Sequence, residues 1–216
     1  MNLPQLFRSY ELLANRADEA FLKMENEHPA CIKCELYCSD CCHAVFGLFM
    51  IEAAYIQHHF SKLDSQVRRK ALLRGDEADR DLRRLEQKLR RYKDDPRMST
   101  VIMAKERIRC PLLDETQQCV LYPHRPVTCH VYGIPTAIQG KARVCGKTAF
   151  KGEKSYPLFD LDSVHRDLFA LSKELLESAG NKDLDRASFL ISVSKAINTP
   201  LEDLLNETLE ESGRNR

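Results

Sequence analysis

The sequence lacks tryptophan, long apolar stretches and an excess of either charge. Only 7% of its 216 residues are aromatic, and 33 Lys and Arg residues nearly balance 32 Asp and Glu residues, for a formal net charge of +1. So small a net charge excludes the strongly basic proteins that bind nucleic acid or anionic membranes through general electrostatic attraction. The longest apolar stretch, Ala44 to Ile51, is far shorter than the roughly 20 residues that span a bilayer. We therefore expect a soluble protein without a membrane segment.

Glycine is scarce as well, which excludes several nucleotide sites. No two of the eight glycines stand two positions apart, so the G-x-G core of the usual dinucleotide-binding fingerprint is missing. Gly146-Lys147-Thr148 resembles the end of a phosphate-binding loop, but Lys141 stands where that loop requires glycine. The HExxH motif of zinc peptidases and the GxSxG motif of serine hydrolases are also absent from the sequence.

Cysteine, in contrast, is abundant, with nine residues in two groups. The first group is Cys31, Cys34, Cys38, Cys41 and Cys42, and the second is Cys110, Cys119, Cys129 and Cys145. Because nine is odd, the cysteines cannot all pair within one chain. The N-terminal residues carry charges every few positions instead of the apolar core of an export signal, so we expect a cytoplasmic protein. In that reducing compartment, clustered thiols are typical of metal or redox sites rather than of a disulfide framework.

The first group is spaced for metal binding. Gaps of two residues, as between Cys31 and Cys34 or between Cys38 and Cys41, allow both thiolates of one turn to reach the same metal. Such turns occur in zinc sites and in iron–sulfur sites, so the spacing predicts a metal without identifying it. Consecutive side chains tend to point apart, so the adjacent Cys41 and Cys42 either serve different metals or leave one thiol packed without a metal.

The second group has gaps of eight, nine and fifteen residues, which are too wide for a second zinc knuckle. We therefore expect it to complete a site that the first group begins. Nine thiols suffice for one four-ligand site with spare cysteines or for two four-ligand sites with one left over, and the alternative is that several are small buried hydrophobic residues. The predicted ligands are Cys34, Cys38, Cys41, Cys42, Cys110, Cys119, Cys129 and Cys145, with Cys31, Cys34 or Cys145 as the non-ligand.

Three cationic or basic side chains close to the cysteines are further candidates. Arg125 lies between two prolines just ahead of Cys129, where its guanidinium is suited to donate hydrogen bonds to thiolates or cluster sulfides and to offset their charge. The alternative for Arg125 is a surface position or a carboxylate partner. His43 and His130 each follow a cysteine directly and are secondary candidates for nitrogen ligands.

The apolar pattern of the N-terminal third predicts helices around a cysteine loop. Apolar residues recur at steps of three and four near the N-terminus, and this helix should end near His28, before Pro29. The pattern returns over residues 51–63. The first cysteine group is therefore predicted to form a loop between two helices.

Residues 61–97 are strongly charged, with 13 Lys or Arg and 8 Asp or Glu. A narrow apolar stripe through Leu82, Leu85 and Leu89 predicts a long solvated helix, or one helix of an antiparallel pair that turns near Gly75. The other interpretation is an arm that binds an acidic partner or RNA. Acidic residues interleave with the basic ones and no aromatic residues alternate with them for base stacking, which favours the solvated helix.

The remainder of the chain divides into an irregular part and a helical part. The segment 99–152 is rich in β-branched residues, proline and turn formers, which favours short strands or irregular loops. The candidate strand residues are Val101, Ile102, Val120, Tyr122, Val127, Val131 and Tyr132. Helical periodicity returns after Pro157, and Thr199-Pro200 marks the start of a last helix.

These patterns together predict a mainly α-helical protein with an irregular cysteine-rich metal-binding region and few or no short strands. The expected organisation is an N-terminal helix at 1–30, a cysteine-cluster metal-binding domain at 31–157 that includes the charged helical segment at 61–97, and a C-terminal helical segment at 158–216 that packs on it.

Two stretches of the chain follow one known pattern. Cys38, Cys41 and Cys42 match the end of a CxxCxxCC segment. A later segment is matched by Cys110, Pro111, Leu112, Leu113, Cys119, Leu121, Tyr122, Arg125, Pro126 and Cys129. Over residues 31–146 the sequence thereby resembles the YkgJ-type cysteine-cluster family, a zinc- or iron-chelating domain. It departs from the family pattern at Cys34, which is one place early, at the additional Cys31 and at His130, where the family usually has Arg.

The resemblance implies a metal-chelating protein, and a related branch contains flagellin lysine methylases with an iron–sulfur centre. Our leading hypothesis is a cytoplasmic metalloprotein in which thiolates of both groups hold one or two centres, so that metal binding contributes to folding. Irregular long-range spacing and the Cys110-Pro111 step favour an iron–sulfur cluster over Zn²⁺. A metal-dependent protein-modifying enzyme and an interaction module with a structural zinc are the alternatives. The expected partners are a metal ion or cluster and a protein, but neither a membrane nor nucleic acid.

Overall fold

The protein is mainly helical throughout the part that the structure describes. The structure is a computed structural model, and it describes residues 2–35 and 37–206. The helices are α1 (Leu3–Glu27), α2 (Met50–Phe60), α3 (Ser65–Arg90), α4 (Pro96–Lys105), α5 (Val127–Val131), α6 (Leu161–Ser178), α7 (Val193–Asn198) and α8 (Leu201–Asn206). The strands are β1 (Thr136–Ile138), β2 (Lys141–Arg143) and β3 (Phe159–Asp160). The predicted mainly α fold is confirmed.

The three strands form one small sheet in the order β2-β1-β3. β1 pairs antiparallel with β2 and parallel with β3, so that Thr136 faces both Arg143 and Phe159. The hairpin turns through Gln139 and Gly140, which both have positive φ angles, of 52° and 70°. Two left-handed residues in succession give the twist that a two-residue hairpin requires.

The largest hydrophobic core joins α1, α2, α5 and α6. One face of α1 is buried there, and Tyr10 and Ala17 on this face are fully shielded from solvent. α1 packs against α5 and α6, while α2 packs against α6 and α7. The predicted end of the first helix near His28 is confirmed, since α1 ends at Glu27. The N-terminal helix is therefore a wall of the core and not an appendage.

Most of the charged segment forms one long helix, as the first of the two predictions had it, and the alternative turn near Gly75 does not occur. α3 runs without interruption from Ser65 to Arg90. Gly75 is buried inside it, opposite Ser194 and Ile197 of α7. Glycine permits the close approach of these two helices, and it does not end α3 because the hydrogen bonding continues on both sides.

The strand and loop prediction for residues 99–152 is wrong for two stretches. Val101 and Ile102 lie in α4, and Val127 and Val131 lie in α5. The start of α4 is set by Asp95, whose side chain accepts a hydrogen bond from the Met98 amide at 2.9 Å. Helix capping therefore outweighs the strand preference of the β-branched residues. Among the described residues, no helix is long and apolar enough to cross a membrane.

Candidate metal centre

Five of the nine cysteines line one cavity. We call it the thiol cavity, and its volume is about 70 Å³. Its cysteines are Cys41, Cys42, Cys110, Cys119 and Cys129. The remaining wall is largely apolar and includes Ala78 and Leu82 of α3, which pack with Ile108. Both cysteine groups thus contribute to a single place in the fold.

The two segments that carry most of these thiols are tied together through the backbone. Cys41 and Cys42 form a 3₁₀ turn, Cys41–His43. The amide of Cys110 donates to the carbonyl of Cys42 at 2.7 Å, and the amide of Ile108 donates to the carbonyl of His43 at 3.1 Å. These bonds form a short antiparallel ladder that sets the thiols of the two groups next to each other.

The loop between Cys110 and Cys119 is closed by its own polar groups. One oxygen of Asp114 accepts hydrogen bonds from the amides of Thr116 and Gln118, both at 2.9 Å. Such a side-chain cap substitutes for a backbone turn and brings the two ends of the loop together.

The neighbouring helix α3 holds this loop from outside. Arg74 is buried, with its Nε donating to the carbonyl of Pro111 and its Nη1 to Glu115, each at 2.9 Å. The loop that carries Cys110 and Cys119 is therefore anchored at its start and at its middle to one rigid helix.

The fifth thiol, Cys129, lies in the middle of the short helix α5, whose N-terminus is held by a buried carboxylate. Glu52 of α2 is 3% exposed. Its Oε1 accepts from the Val127 amide at 3.0 Å and its Oε2 accepts from the Phe49 amide at 3.1 Å. One carboxylate thus caps both α5 and α2, which fixes the helix that presents Cys129.

The backbone just ahead of α5 is held equally firmly. The carbonyl of Arg125 accepts hydrogen bonds from the hydroxyl of Tyr10 and from Nε2 of His130, both at 3.1 Å. Nδ1 of His130 lies 2.6 Å from Oδ1 of Asp18. Both ring nitrogens of His130 are therefore engaged in hydrogen bonds and His130 does not line the thiol cavity, so a nitrogen ligand at this position stays a prediction. His43 does not line the thiol cavity.

The pKa values of three thiols of the cavity depend on one another. The pKa of Cys41 lies well below its ordinary value because the thiols of Cys129 and Cys42 donate hydrogen bonds to its sulfur. The same bonds, together with burial, raise the pKa of Cys42 and of Cys129. Burial raises the pKa of Cys110 to about 12 and that of Cys119 to about 11. One thiolate is thus stabilised by neighbouring protonated thiols, and a metal would displace those protons.

Two arginines of the cavity wall have a buried N–H group without a partner. Arg109 and Arg125 both line the thiol cavity. The Nε atom of each is shielded from solvent and makes no hydrogen bond to any described residue. Buried N–H groups normally have a hydrogen-bond acceptor. Two such groups without one in the same cavity indicate that an acceptor binds there. The positive charge of Arg125 also contributes to the lowered pKa of Cys41. At Cys119 the same charge partly opposes the effect of burial on the pKa.

The five thiols line one cavity but do not form a finished site for one metal ion. Among the described residues, no group of three or more His, Cys, Asp or Glu side chains is arranged to hold a single metal ion. The cavity therefore supplies five candidate thiol ligands, and these are not arranged as a preformed site for one ion.

The other four cysteines lie outside this cavity, and three of them were predicted ligands. Cys34, Cys38 and Cys145 do not line it, and neither does Cys31. Cys145 is buried, and its sulfur donates to Oδ2 of Asp40 at 3.1 Å. Burial raises the pKa of Cys145 to about 11.

Cys34 lies close to the same place, and its sulfur fills the space where a side chain on Gly133 would stand. Burial and the charges of Cys38 and Cys145 raise the pKa of Cys34 to about 11. Cys34, Cys38 and Cys145 therefore lie near one another without lining the thiol cavity.

Two side chains that shape the site are not evident from the sequence. Arg109 directly precedes Cys110 but is one of several charges in that stretch, so nothing distinguishes it. Glu52 is a lone acidic residue in an apolar segment, and that isolation is the sequence signal that points to a buried role.

Comparison with known proteins gives one match. A family model described as "CxxCxxCC: Putative zinc- or iron-chelating domain" matches residues 31–146, which is more than half of the chain. No curated protein and no solved structure matches the chain. The matched range contains all nine cysteines and confirms the resemblance stated from the sequence. It supports metal binding, by zinc or iron, as a property of this chain.

Proposed function

Because the chain belongs to the CxxCxxCC family of zinc- or iron-chelating domains, we propose that it binds an iron–sulfur cluster in the thiol cavity. The observation that carries this proposal is the composition of the cavity wall, where five thiols face two arginines with unpartnered buried N–H groups. A cytoplasmic location, where thiols stay reduced, belongs to the same proposal.

The donor set fits a cluster in its spacing. Thiolates around a structural zinc converge on one ion at about 2.3 Å, whereas the four thiolates of a cluster bind different iron atoms and stand farther apart. The described residues contain no group of donors arranged for a single ion, and five thiols instead line one cavity of about 70 Å³. This volume exceeds the roughly 10–15 Å³ that one water-sized sphere needs.

The donor set also fits a cluster in its charge. A cluster with four thiolate ligands is anionic, and hydrogen bonds to its sulfur atoms tune its stability and reduction potential. Arg109 and Arg125 supply positive charge and free N–H donors at the wall. Their role in this proposal is to hold the cluster by hydrogen bonding to sulfur without binding iron.

Four ligand positions and five thiols leave one thiol over. Cys110, Cys119 and Cys129 come from three separate places in the chain, so we assign them one ligand position each. Cys41 and Cys42 are adjacent, and we assign the fourth position to one of the two. Cys41→Ser and Cys42→Ser, made separately, identify the ligand. Only the substitution of the ligand should lose the cluster.

Anaerobic purification tests the proposal. We expect a coloured protein that contains iron and acid-labile sulfide. Cys129→Ser should lose the visible absorption, whereas the matched control Cys31→Ser, outside the cavity, should keep it. A colourless wild-type protein with stoichiometric zinc and no sulfide would show that the cluster proposal is wrong and that a zinc site is correct.

The arginine role has a separate test. Arg125→Gln should lose the cluster several-fold faster in air than the wild type, and Arg125→Lys, which keeps the charge but not the planar fork, should lie between them. The control is Arg143→Gln, which removes an exposed charge of β2. Equal loss rates for Arg125→Gln and Arg143→Gln would contradict the assigned role.

A further inference from the structure

A second cavity lies at a different place in the fold, between the end of α2, the first turns of α3 and α7. Its volume is about 320 Å³, and it shares no lining residue with the thiol cavity. Its apolar part is formed by Phe60, Leu72 and Ile197. The volume falls within the range of roughly 300–1,000 Å³ that small-molecule sites occupy.

Two buried polar atoms of this cavity have no partner among the described residues. Gln57 donates from its Nε2 to the carbonyl of Thr199 at 2.7 Å. A carbonyl only accepts, so this bond fixes the orientation of the amide, and the opposite atom, Oε1, is buried without a hydrogen bond. Nε of Arg68 is in the same condition. One unpaired acceptor and one unpaired donor therefore occur in a single cavity.

The cavity also carries uncompensated positive charge. Arg68 and Arg69 both line it, and neither guanidinium forms an ion pair or a hydrogen bond with any described residue. Arg74, two turns further along the same helix, is by contrast paired with Glu115. None of the residues that line the cavity is acidic.

We propose that this cavity binds a small phosphate monoester that also carries hydroxyl groups. The phosphate takes hydrogen bonds and charge from Arg68 and Arg69, because a phosphate offers several acceptor oxygens to guanidinium groups. A hydroxyl of the same molecule donates to Oε1 of Gln57. The apolar floor excludes water from the carbon skeleton of the ligand. Both orphaned atoms then have partners, and both arginines are neutralised.

Calorimetric titration of the full-length protein tests this with inorganic phosphate, ribose 5-phosphate and ribose as probes. We expect ribose 5-phosphate to bind at least tenfold more tightly than inorganic phosphate, since only the former brings a donor to Gln57. We expect no binding of ribose, because it lacks the charge. Absence of binding by both phosphate compounds, or equal binding of ribose and ribose 5-phosphate, would overturn the proposal.

Variants locate the binding in this cavity. Arg68→Gln and Arg69→Gln should each weaken ribose 5-phosphate binding about tenfold, while Arg80→Gln, an exposed position further along α3, should leave it unchanged. Arg69 is exposed, so its removal tests the charge without disturbing packing. Unchanged affinity in Arg69→Gln and Arg68→Gln together would overturn the proposal.

Discussion

Glu52 is the residue on which the geometry of Cys129 depends most directly. Its two oxygens cap α2 and α5, and its side chain is almost fully buried. Burial raises the pKa of Glu52 from 4.5 to about 7, although the two backbone hydrogen bonds act in the opposite direction. The carboxyl group is therefore protonated in the folded protein under conditions in which it is ionised in the unfolded chain.

This shift predicts a pH-dependent stability. From about pH 4.5 to about pH 7 the folded state holds a proton that the unfolded state has released, so the Glu52 contribution to the free energy of unfolding falls as the pH rises. The slope is at most about 1.4 kcal/mol per pH unit. Glu52→Gln removes this titration, so its stability relative to the wild type should improve with rising pH, as measured by urea unfolding at several pH values.

The quantity that reports on Glu52 is the difference in unfolding free energy between Glu52→Gln and the wild type. Burial lowers the pKa of His59 to about 4, and this histidine makes the stability rise with pH over part of the same range. Both proteins contain His59, so its effect cancels in the difference. The control is Glu19→Gln, which removes an exposed carboxylate of α1. A stability difference for Glu52→Gln that follows that of Glu19→Gln at every pH would contradict a raised pKa at Glu52.

At the scale of elements, the contact between α3 and α7 supports one wall of the thiol cavity. A methyl group added at Gly75 would meet Nδ2 of Asn198 and Cβ of Ser194, both at 3.7 Å, which is ordinary contact. Gly75→Ala should therefore stabilise the protein by about 0.5–1 kcal/mol, because alanine loses less backbone entropy in a helix. The free energy of unfolding in urea measures it.

The matched control is a glycine without room. An added methyl group at Gly47 would overlap Cβ of Leu190, an atom that side-chain rotation cannot move. Gly47→Ala should therefore destabilise the protein, while Gly75→Ala stabilises it. Destabilisation by Gly75→Ala would show that α3 and α7 pack more tightly than the structure indicates.

The positions of the helices could be predicted from the sequence better than the set of cysteines that line one cavity. Helical periodicity was sufficient for α1 and α2, because apolar residues at steps of three and four are a local property. The sequence left a turn near Gly75 open beside the long helix, because a glycine that allows close packing looks the same in sequence as one that ends a helix. The sequence also gave no means to separate Cys145 from Cys129, since that depends on where α5 packs.

At the scale of the whole molecule, the matched family region is not a self-contained body. Residues 31–146 contain α2 and α5, but their apolar faces are covered by α1 and α6. Tyr10 of α1 and Leu175 of α6 are each fully buried in this shared core. A core that loses two of its four helices exposes a large apolar surface.

A fragment of residues 31–146 should therefore fail to fold. We expect a proton–nitrogen correlation spectrum with poor dispersion for the fragment and a well-dispersed one for the full chain. The three-part division of the chain, with a metal-binding domain at 31–157, remains a prediction, and a fragment of that range provides the second measurement. A well-dispersed spectrum of either fragment would contradict a core shared with α1 and α6.

The backbone ladder between Cys42 and Cys110 has a consequence for the order of events after synthesis. It closes a long stretch of chain that includes α2, α3 and α4, and it does so through amides and carbonyls without using any thiol. Part of the entropy cost of closing that loop is therefore offset by backbone hydrogen bonds that need no metal. We expect the chain to fold first and to bring the cysteine thiols close together. The metal or cluster would then bind to the folded protein.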